Sequence, residues 1–170
     1  GAQQAYKRIL ASDPENLSAL QGLEAIAIET NDAEVIESCL LAQLPLILDE
    51  LEVAHIRERL ARLYMDKEDH ETAFDQITLA ADVRSGAASI QAALFDLVPT
   101  EVGSKAGDVL ERVLIDADES KSLALLYEMQ LDTVEETVFR AEILTKLAGI
   151  RRHKLADLPS ALVAYVEALV

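Results

Sequence analysis

The sequence predicts an all-α protein, and three observations support this fold class. Only 4 prolines and 6 glycines occur among the 170 residues, so few positions break a helix. Alanine, leucine, glutamate and isoleucine fill the stretches between them. No stretch alternates strictly between apolar and polar residues, as a half-buried strand does. The composition and the periodicity therefore both favour helices over sheets.

Apolar residues recur at spacings of three and four, the period of an amphipathic helix. This spacing predicts about ten helices joined by short loops. They are expected over residues 2–11, 14–30, 33–44, 47–66, 70–83, 87–97, 104–116, 120–130, 134–154 and 158–170. Short loops force consecutive helices to lie antiparallel, so the chain is predicted to be a succession of helical hairpins.

Residues that cap helices stand at several of the predicted connections. Asp13-Pro14 places a carboxylate before a proline at the first helical position, where the missing N–H costs nothing. Asn31-Asp32 supplies a residue that tolerates a left-handed backbone, followed by a cap for the next helix. Asp69 and Asp157 are expected to cap helices in the same way.

Charge and hydropathy exclude several classes of protein. The chain has 31 acidic and 15 basic side chains and a net charge of -16, which argues against nucleic-acid binding. Its 51% hydrophobic content provides a core and argues against disorder. The longest apolar run, 40–48, is interrupted by Gln43 and Pro45 and is too short to span a membrane.

A single cysteine excludes an internal disulfide framework and a cysteine-based zinc site, and no export signal opens the chain. One thiol is compatible with the cytoplasm and with the bacterial periplasm, and the localisation stays open, with the cytoplasm slightly favoured.

Two segments of the chain follow the same pattern of residues. In each, an aspartate stands four positions before a small residue, and apolar or small residues follow four and seven positions later. The copies are Asp69 with Ala73, Ile77 and Ala80, and Asp157 with Ala161, Tyr165 and Ala168. Recurrence of this kind is typical of stacked hairpins, which cannot bury their apolar faces alone.

This pattern resembles the tetratricopeptide repeat (TPR), a helix-turn-helix unit. The matching positions are Pro14, Tyr64, Ala73, Ala80, Ala161, Tyr165 and Ala168. The match is good over 14–84 and 141–170, whereas 86–134 resembles the family only in being amphipathic and helical. The resemblance implies a right-handed α-solenoid of stacked antiparallel hairpins, formed as a single domain over 1–170.

The helix count departs from a regular array. It requires one hairpin out of step, or an extra helix, between the two good copies, so we expect an irregularity near 100–132. The chain opens inside a second helix and stops at Val170 with an apolar last helix, so we expect a segment of a longer array. Alternatively, its exposed ends associate end to end with another copy.

Candidate catalytic and metal-binding residues are few. Glu52 and His55 have the spacing of a di-iron ligand pair, but no second pair accompanies them. Cys39 lies at helical spacing with apolar neighbours, which favours a buried residue over a nucleophile. Gly103-Ser104-Lys105 lacks the upstream glycine and the strand of a phosphate loop. We therefore predict no enzyme activity, cofactor or metal.

The resemblance implies that the first helices of successive hairpins line a concave groove for a peptide or helix. The candidate peptide-binding residues are His55, Glu58, Arg59, Arg62, Met65, Lys146, Arg152 and His153, with Glu142 on the same predicted helix as Lys146. Arginines suit carboxylates, which favours an acidic partner segment. In the alternative interpretation, these cations only pair along their own helices and stabilise helix ends.

The predicted function is therefore a non-enzymatic protein-interaction scaffold that binds a protein or peptide partner in a concave groove. Two alternatives stay open. The first is a chaperone or adaptor that shields an apolar segment of a client. The second is the substrate-recruiting region of a larger enzyme.

Overall fold

The computed structural model describes residues 1–169, and within them it contains ten α-helices, one 3-10 helix over Leu44–Leu46 and no strand. The α-helices are α1 (Ala2–Ser12), α2 (Leu17–Glu29), α3 (Ala33–Gln43), α4 (Glu50–Asp66), α5 (His70–Arg84), α6 (Ala88–Leu97), α7 (Gly103–Asp116), α8 (Ser120–Thr133), α9 (Thr137–His153) and α10 (Leu158–Glu167). The predicted all-α fold of successive helices is confirmed.

The chain divides into two compact units, Gly1–Arg84 with α1–α5 and Ser85–Val170 with α6–α10. Within each unit, every helix packs mainly against the helices that precede and follow it in the chain. This sequential packing is typical of helical-repeat proteins. The single domain expected over 1–170 stays a prediction.

Four pairs of helices are joined by short loops that share one backbone feature: α2/α3, α4/α5, α7/α8 and α9/α10. Each loop contains one residue with a left-handed backbone: Asn31, Glu68, Asp118 or Ala156, with φ of 53°, 59°, 54° and 53°. In the first loop the N–H of Asp32 donates to the carbonyl of Ala27 at 2.8 Å, which closes the end of α2. This Schellman arrangement satisfies the last carbonyls of a helix while the chain reverses.

An acidic residue follows the left-handed residue in each of these loops. Three of them cap the next helix through the side chain: Asp32 accepts from Val35 N–H, Asp69 from Thr72 N–H and Asp157 from Ser160 N–H, each at 3.2 Å. The predicted capping roles of these aspartates are confirmed. In the α7/α8 loop, Glu119 stands at the same place without a side-chain cap bond.

The α7/α8 hairpin was not predicted as a repeat, because Glu119 replaces the aspartate and the bulkier Leu123 replaces the small residue four positions later. The backbone nevertheless repeats the α4/α5 loop: Glu119 N–H donates to Leu114 as Asp69 N–H donates to Tyr64, both at 2.9 Å. The helix α7 packs against both α6 and α8. The hairpin out of step, or extra helix, expected near 100–132 stays a prediction.

The start of α2 differs from the prediction. The helix begins at Leu17, and Asn16 rather than Asp13 is its N-cap, accepting from Ala19 N–H at 3.0 Å. Asp13 instead accepts a hydrogen bond from the Asn16 side chain at 3.0 Å. The prediction of a helix start at Pro14 was therefore wrong, because an asparagine three residues closer to the helix supplies the cap.

Two other helices begin later than predicted. The helix α4 was expected to start at Ile47 but begins at Glu50. A 3-10 turn that contains Pro45 precedes it, and the side chain of Asp49 caps it by accepting from Glu52 N–H at 2.9 Å. The helix α9 begins at Thr137 rather than Val134. The last helix ends at Glu167, and the predicted helical end at Val170 lies outside the described residues.

Buried leucine and isoleucine side chains hold the first unit together. Leu40 from α3, Ile47 from the following turn, and Ile56 and Leu60 from α4 form one buried cluster. Each such side chain contributes about 1.5–3 kcal/mol when it is removed from water. The cluster therefore joins the α2/α3 hairpin to the α4/α5 hairpin.

Fully buried alanines allow close packing within the predicted repeats. Ala73 and Ala80 of α5 are 0% exposed, and Ala161 of α10 is 2% exposed. In the second unit, Leu144 and Ala148 of α9 pack with α10, with Tyr165 at the edge of the cluster. The small residues of the repeated pattern are therefore buried where the paired helices meet.

We expect Ala156→Gly to raise the free energy of unfolding by about 1 kcal/mol, because glycine adopts the left-handed backbone without the strain of a Cβ atom. Urea unfolding monitored by circular dichroism measures the change. The matched control is Ala92→Gly, an exposed position inside α6, which should lower stability by about 1 kcal/mol. A loss of stability in Ala156→Gly would contradict the loop assignment.

Candidate functional site

Two of the predicted binding residues on α4 contact an arginine of the next helix. Arg84 of α5 forms an ion pair with Glu58 and donates from Nη1 to Nδ1 of His55 at 2.9 Å. Glu58 is half-buried by this contact, whereas the side chain of His55 is 59% exposed. Both side chains therefore also hold α5 against α4.

The third predicted residue on α4, Arg59, forms an ion pair with Glu24 of α2. The side chain of Glu24 is only 7% exposed, and it also accepts from the amide of Gln43 of α3 at 2.5 Å. A buried carboxylate needs such partners, because leaving it unpaired is costly. The Arg59 guanidinium therefore compensates a buried charge, whereas the sequence predicted that it contacts a ligand.

The other predicted residues lie toward solvent. Arg62 on α4 is exposed and Met65 is half-buried. Arg152 and His153 are exposed in the last turn of α9, where positive charge favours the helix dipole. Their neighbour Arg151 forms an ion pair with Glu128 of α8 at 2.5 Å.

Lys146 lines a cavity of the second unit. Its ammonium contacts Oε1 of Glu111 on α7 at 2.8 Å and lies 5.6 Å from the centre of the Tyr127 ring. The hydroxyl of Tyr127, on α8, donates to the same Glu111 oxygen at 2.8 Å. Burial, and then this hydrogen bond to a carboxylate, raises the pKa of Tyr127 above its ordinary value.

The Glu111 cluster stands at the same repeat positions as the Glu24 cluster. Glu24 lies as many residues before the loop residue Asp32 as Glu111 lies before the loop residue Glu119. Likewise, Gln43 lies as many residues after Asp32 as Gln130 lies after Glu119. In both units a cation from the first helix of the next hairpin, Arg59 or Lys146, meets the glutamate. The chain therefore repeats one polar cluster in two places.

In the second unit this cluster borders a groove of about 670 Å³. The walls are the turn between α6 and α7, the first half of α7, the end of α8, residues 134–136 and the first half of α9. The lining residues are Val98, Pro99, Thr100, Gly103, Ser104, Asp108, Glu111, Gln130, Thr133, Val134, Glu135, Glu136, Phe139, Glu142, Ile143 and Lys146. A volume of this size accommodates a few side chains of a peptide.

Two glycines permit the close packing of the groove wall. A Cβ atom at Gly103 would lie 2.0 Å from the carbonyl oxygen of Val98, so only glycine fits where α7 begins. A Cβ atom at Gly107 would lie 2.6 Å from Nε2 of Gln130, so the amide rests directly on α7. These contacts bring the α6–α7 turn and the end of α8 close to α7.

The segment between α8 and α9 is fixed by an arginine. Arg140 of α9 donates from Nη1 to the carbonyl of Leu131 at 2.6 Å and to that of Val134 at 3.4 Å. These carbonyls lie at the end of α8, where no helical N–H is present to bind them. The wall that contains Glu135 and Glu136 is thus held in place.

The groove is acidic and has an exposed aromatic side chain. Five carboxylates line it: Asp108, Glu111, Glu135, Glu136 and Glu142. Lys146 is the one basic side chain in the lining, and it is paired with Glu111. Phe139 is 54% exposed at the wall, next to the half-buried Ile143. A ring this exposed has apolar surface that a ligand can cover.

Sequence reasoning found two of the groove residues and missed the rest. Of the groove positions predicted on α9, Glu142 and Lys146 line this groove, whereas Arg152 and His153 do not. Phe139 lies three residues before Glu142 and seven before Lys146, so helical spacing alone would have placed it on that face. Asp108 and Glu111 gave no such signal, because their contribution depends on how α7 packs beside α9.

Other chemistry finds little support in residues 1–169. Cys39 is 2% exposed, as predicted, and burial, together with the nearby Glu24 carboxylate, raises the pKa of its thiol. A raised pKa disfavours the nucleophilic thiolate. Within the same residues, no group of His, Cys, Asp and Glu side chains is arranged to hold a metal ion. No helix there has the length and apolar character that a membrane crossing requires.

Comparisons with known proteins find similarity to solved structures. No family model matches the sequence, and no curated protein does. Among solved structures, the chain is similar to one described as "Crystal structure of MamA", with 17% sequence identity and a TM-score of 0.45. The alignment covers 99% of this chain and 85% of the other.

We expect Arg59→Ala to lower the free energy of unfolding by about 2 kcal/mol, because it leaves the Glu24 carboxylate buried without its cation. Arg62→Ala is the matched control, since Arg62 lies exposed on the same helix, and it should change stability by less than about 0.5 kcal/mol. Urea unfolding compares the two. Equal stability of the two variants would show that the Glu24 pair contributes nothing.

Stability should fall at high pH because the pKa of Tyr127 is raised on folding. The folded state holds the phenolic proton more tightly, so its contribution is complete below the unfolded pKa of about 10 and declines above it. Tyr127→Phe should remove part of this decline in urea unfolding measured as a function of pH. Tyr165→Phe, which leaves the Tyr127–Glu111 bond intact, serves as the control. An unaltered decline in Tyr127→Phe would refute the assignment.

Proposed function

We propose that this protein is a non-enzymatic interaction module that binds a peptide or helix of a partner protein in the groove of its second unit. The observation that supports this most directly is the open groove of about 670 Å³ beside the exposed ring of Phe139. Concave, partly apolar surfaces with a few polar groups are the usual sites of ligand binding. The role is that of a scaffold for protein partners.

The groove is built before a ligand arrives. Arg140 fixes residues 134–136, Gln130 rests on Gly107, and Lys146 is held between Glu111 and Tyr127. A site with fixed walls loses little conformational entropy on binding, which favours affinity. The interactions that make the repeat stable thus also preorganise the binding surface.

The repeating loops support the proposal that the chain is a TPR-like protein. Four helical hairpins share the left-handed loop residue, and three share the capping aspartate. Proteins built from such repeats commonly bind peptides along the surface of their helices. This proposal extends the resemblance of 14–84 and 141–170 to the α7/α8 hairpin.

The predicted residues outside the groove stay part of the proposal in a smaller role. Arg62, Arg152 and His153 are exposed and accessible to a partner. His55, Glu58 and Arg59 also stabilise their own unit through Arg84 and Glu24, so binding through them would compete with internal ion pairs. We therefore propose the groove lined by Lys146 as the main contact.

A second candidate function, the shielding of an apolar client segment, is favoured by one observation. Several apolar side chains of α10 and the residues after it are exposed: Leu158, Leu162, Val163, Val166 and Leu169. Contiguous apolar surface of this kind is typical of interaction sites. Binding there would persist at high salt, whereas contacts with charged groups weaken as salt is added.

The test is selection of peptides from a random display library against the whole chain, followed by affinity measurements with variants. Phe139→Ala should weaken the selected peptides about tenfold or more, because a buried aromatic ring contributes about 1.5–3 kcal/mol. Val138→Ala is the matched control: Val138 is similarly exposed on the same helix but does not line the groove. Peptides that bind both variants as tightly as the unmodified chain would refute the groove as the site.

A further inference from the structure

We propose that the groove of the second unit recognises a basic segment, in which an arginine or lysine side chain of the partner lies beside an apolar one. This inference rests on the proposed function and specifies the chemistry of the partner. It differs from the acidic partner expected from the arginine clusters, because that expectation concerned α4 and the end of α9.

The charges of the groove are the first argument. Five carboxylates line it, and the single ammonium among its lining residues, Lys146, already contacts Glu111 and the ring of Tyr127. A carboxylate entering the groove would meet like charges on three walls: Asp108 on α7, Glu135 before α9 and Glu142 on α9. A cation entering it would meet opposite charges on the same walls, so the groove discriminates by sign.

The internal repeat is the second argument. In the first unit the equivalent glutamate, Glu24, is contacted by a guanidinium and by a glutamine amide. In the second unit, both Tyr127 and Lys146 bind the same oxygen of Glu111, Oε1. These two donors do not use Oε2 of Glu111, and Gln130 also lines the groove. Glu24 shows that a carboxylate at this repeat position can accept through both of its oxygens, one from the amide of Gln43 and one from the guanidinium of Arg59.

The apolar part of the groove lies next to the carboxylates. Phe139 and Glu142 are one turn apart on α9, and Ile143 completes the apolar wall. An arginine side chain matches this surface well, because its aliphatic stem packs on apolar groups, its planar guanidinium stacks on a ring and its N–H groups bind carboxylates. A neighbouring leucine or phenylalanine of the partner would cover Phe139.

The experiment compares three fluorescent peptides of one length and one apolar pattern, in which the variable positions are all arginine, all glutamine or all glutamate. Binding to the whole chain is measured by fluorescence anisotropy. We expect the arginine peptide to bind at least about tenfold more tightly than the glutamine peptide, and the glutamate peptide to bind more weakly still. Added salt should reduce the difference.

The net charge of -16 attracts any cation, so the groove variant is compared with a control variant of the same net charge. The groove variant combines Glu135→Gln, Glu136→Gln and Glu142→Gln. The control variant removes as many charges from exposed positions of the first unit: Glu29→Gln, Asp66→Asn and Asp75→Asn. We expect the groove variant to lose about tenfold in affinity for the arginine peptide and the control variant less than about twofold.

Three outcomes would overturn this inference. The first is tighter binding of the glutamate peptide. The second is an equal loss in the two triple variants, which would show that net charge alone attracts the peptide. The third is that the glutamine and arginine peptides bind equally tightly and that Phe139→Ala weakens both. In that case the groove binds peptides without selecting their charge, and the proposed function stands. If Phe139→Ala weakens none of the peptides, the proposed function itself fails.

Discussion

The closure of a helix end by a left-handed residue is the constraint on which the rest of the fold depends. At Asn31, Glu68 and Asp118 the backbone turns so that N–H groups of the loop donate to the final carbonyls of the preceding helix. The next residue, an acid, stands at the start of the following helix. Because the connection is this short, the paired helices must lie side by side, and their small or apolar faces are buried together.

A second level of organisation is the polar cluster that recurs with the hairpins. In both units a glutamate on the first helix of a hairpin is contacted by a cation from the first helix of the next hairpin. Around Glu24 the cluster is buried and joins α2, α3 and α4. Around Glu111 it borders a groove. The same arrangement thus joins helices in one unit and lines a groove in the other.

Sequence reasoning identified the helices and the capping aspartates, because these depend on residues close together in the chain. It also placed Lys146 and Glu142 on one face of α9. It assigned Arg59 to a ligand, since no local pattern shows that a carboxylate from a distant helix will be buried beside it. It predicted the α7 and α8 helices without matching them to the repeat, because the loop conformation is retained there although the side chains that usually mark it have changed.

The sequence by itself determined the all-α class, the order of the helices and the capping aspartates Asp32, Asp69 and Asp157, because helix period and turn chemistry act over a few neighbouring residues. Tertiary structure decided which charges form ion pairs inside the protein and which remain exposed. Glu24 and Glu111 stand at equivalent repeat positions, yet one is buried and the other lines a groove. That difference arises from the packing of helices separated along the chain, which no local pattern encodes.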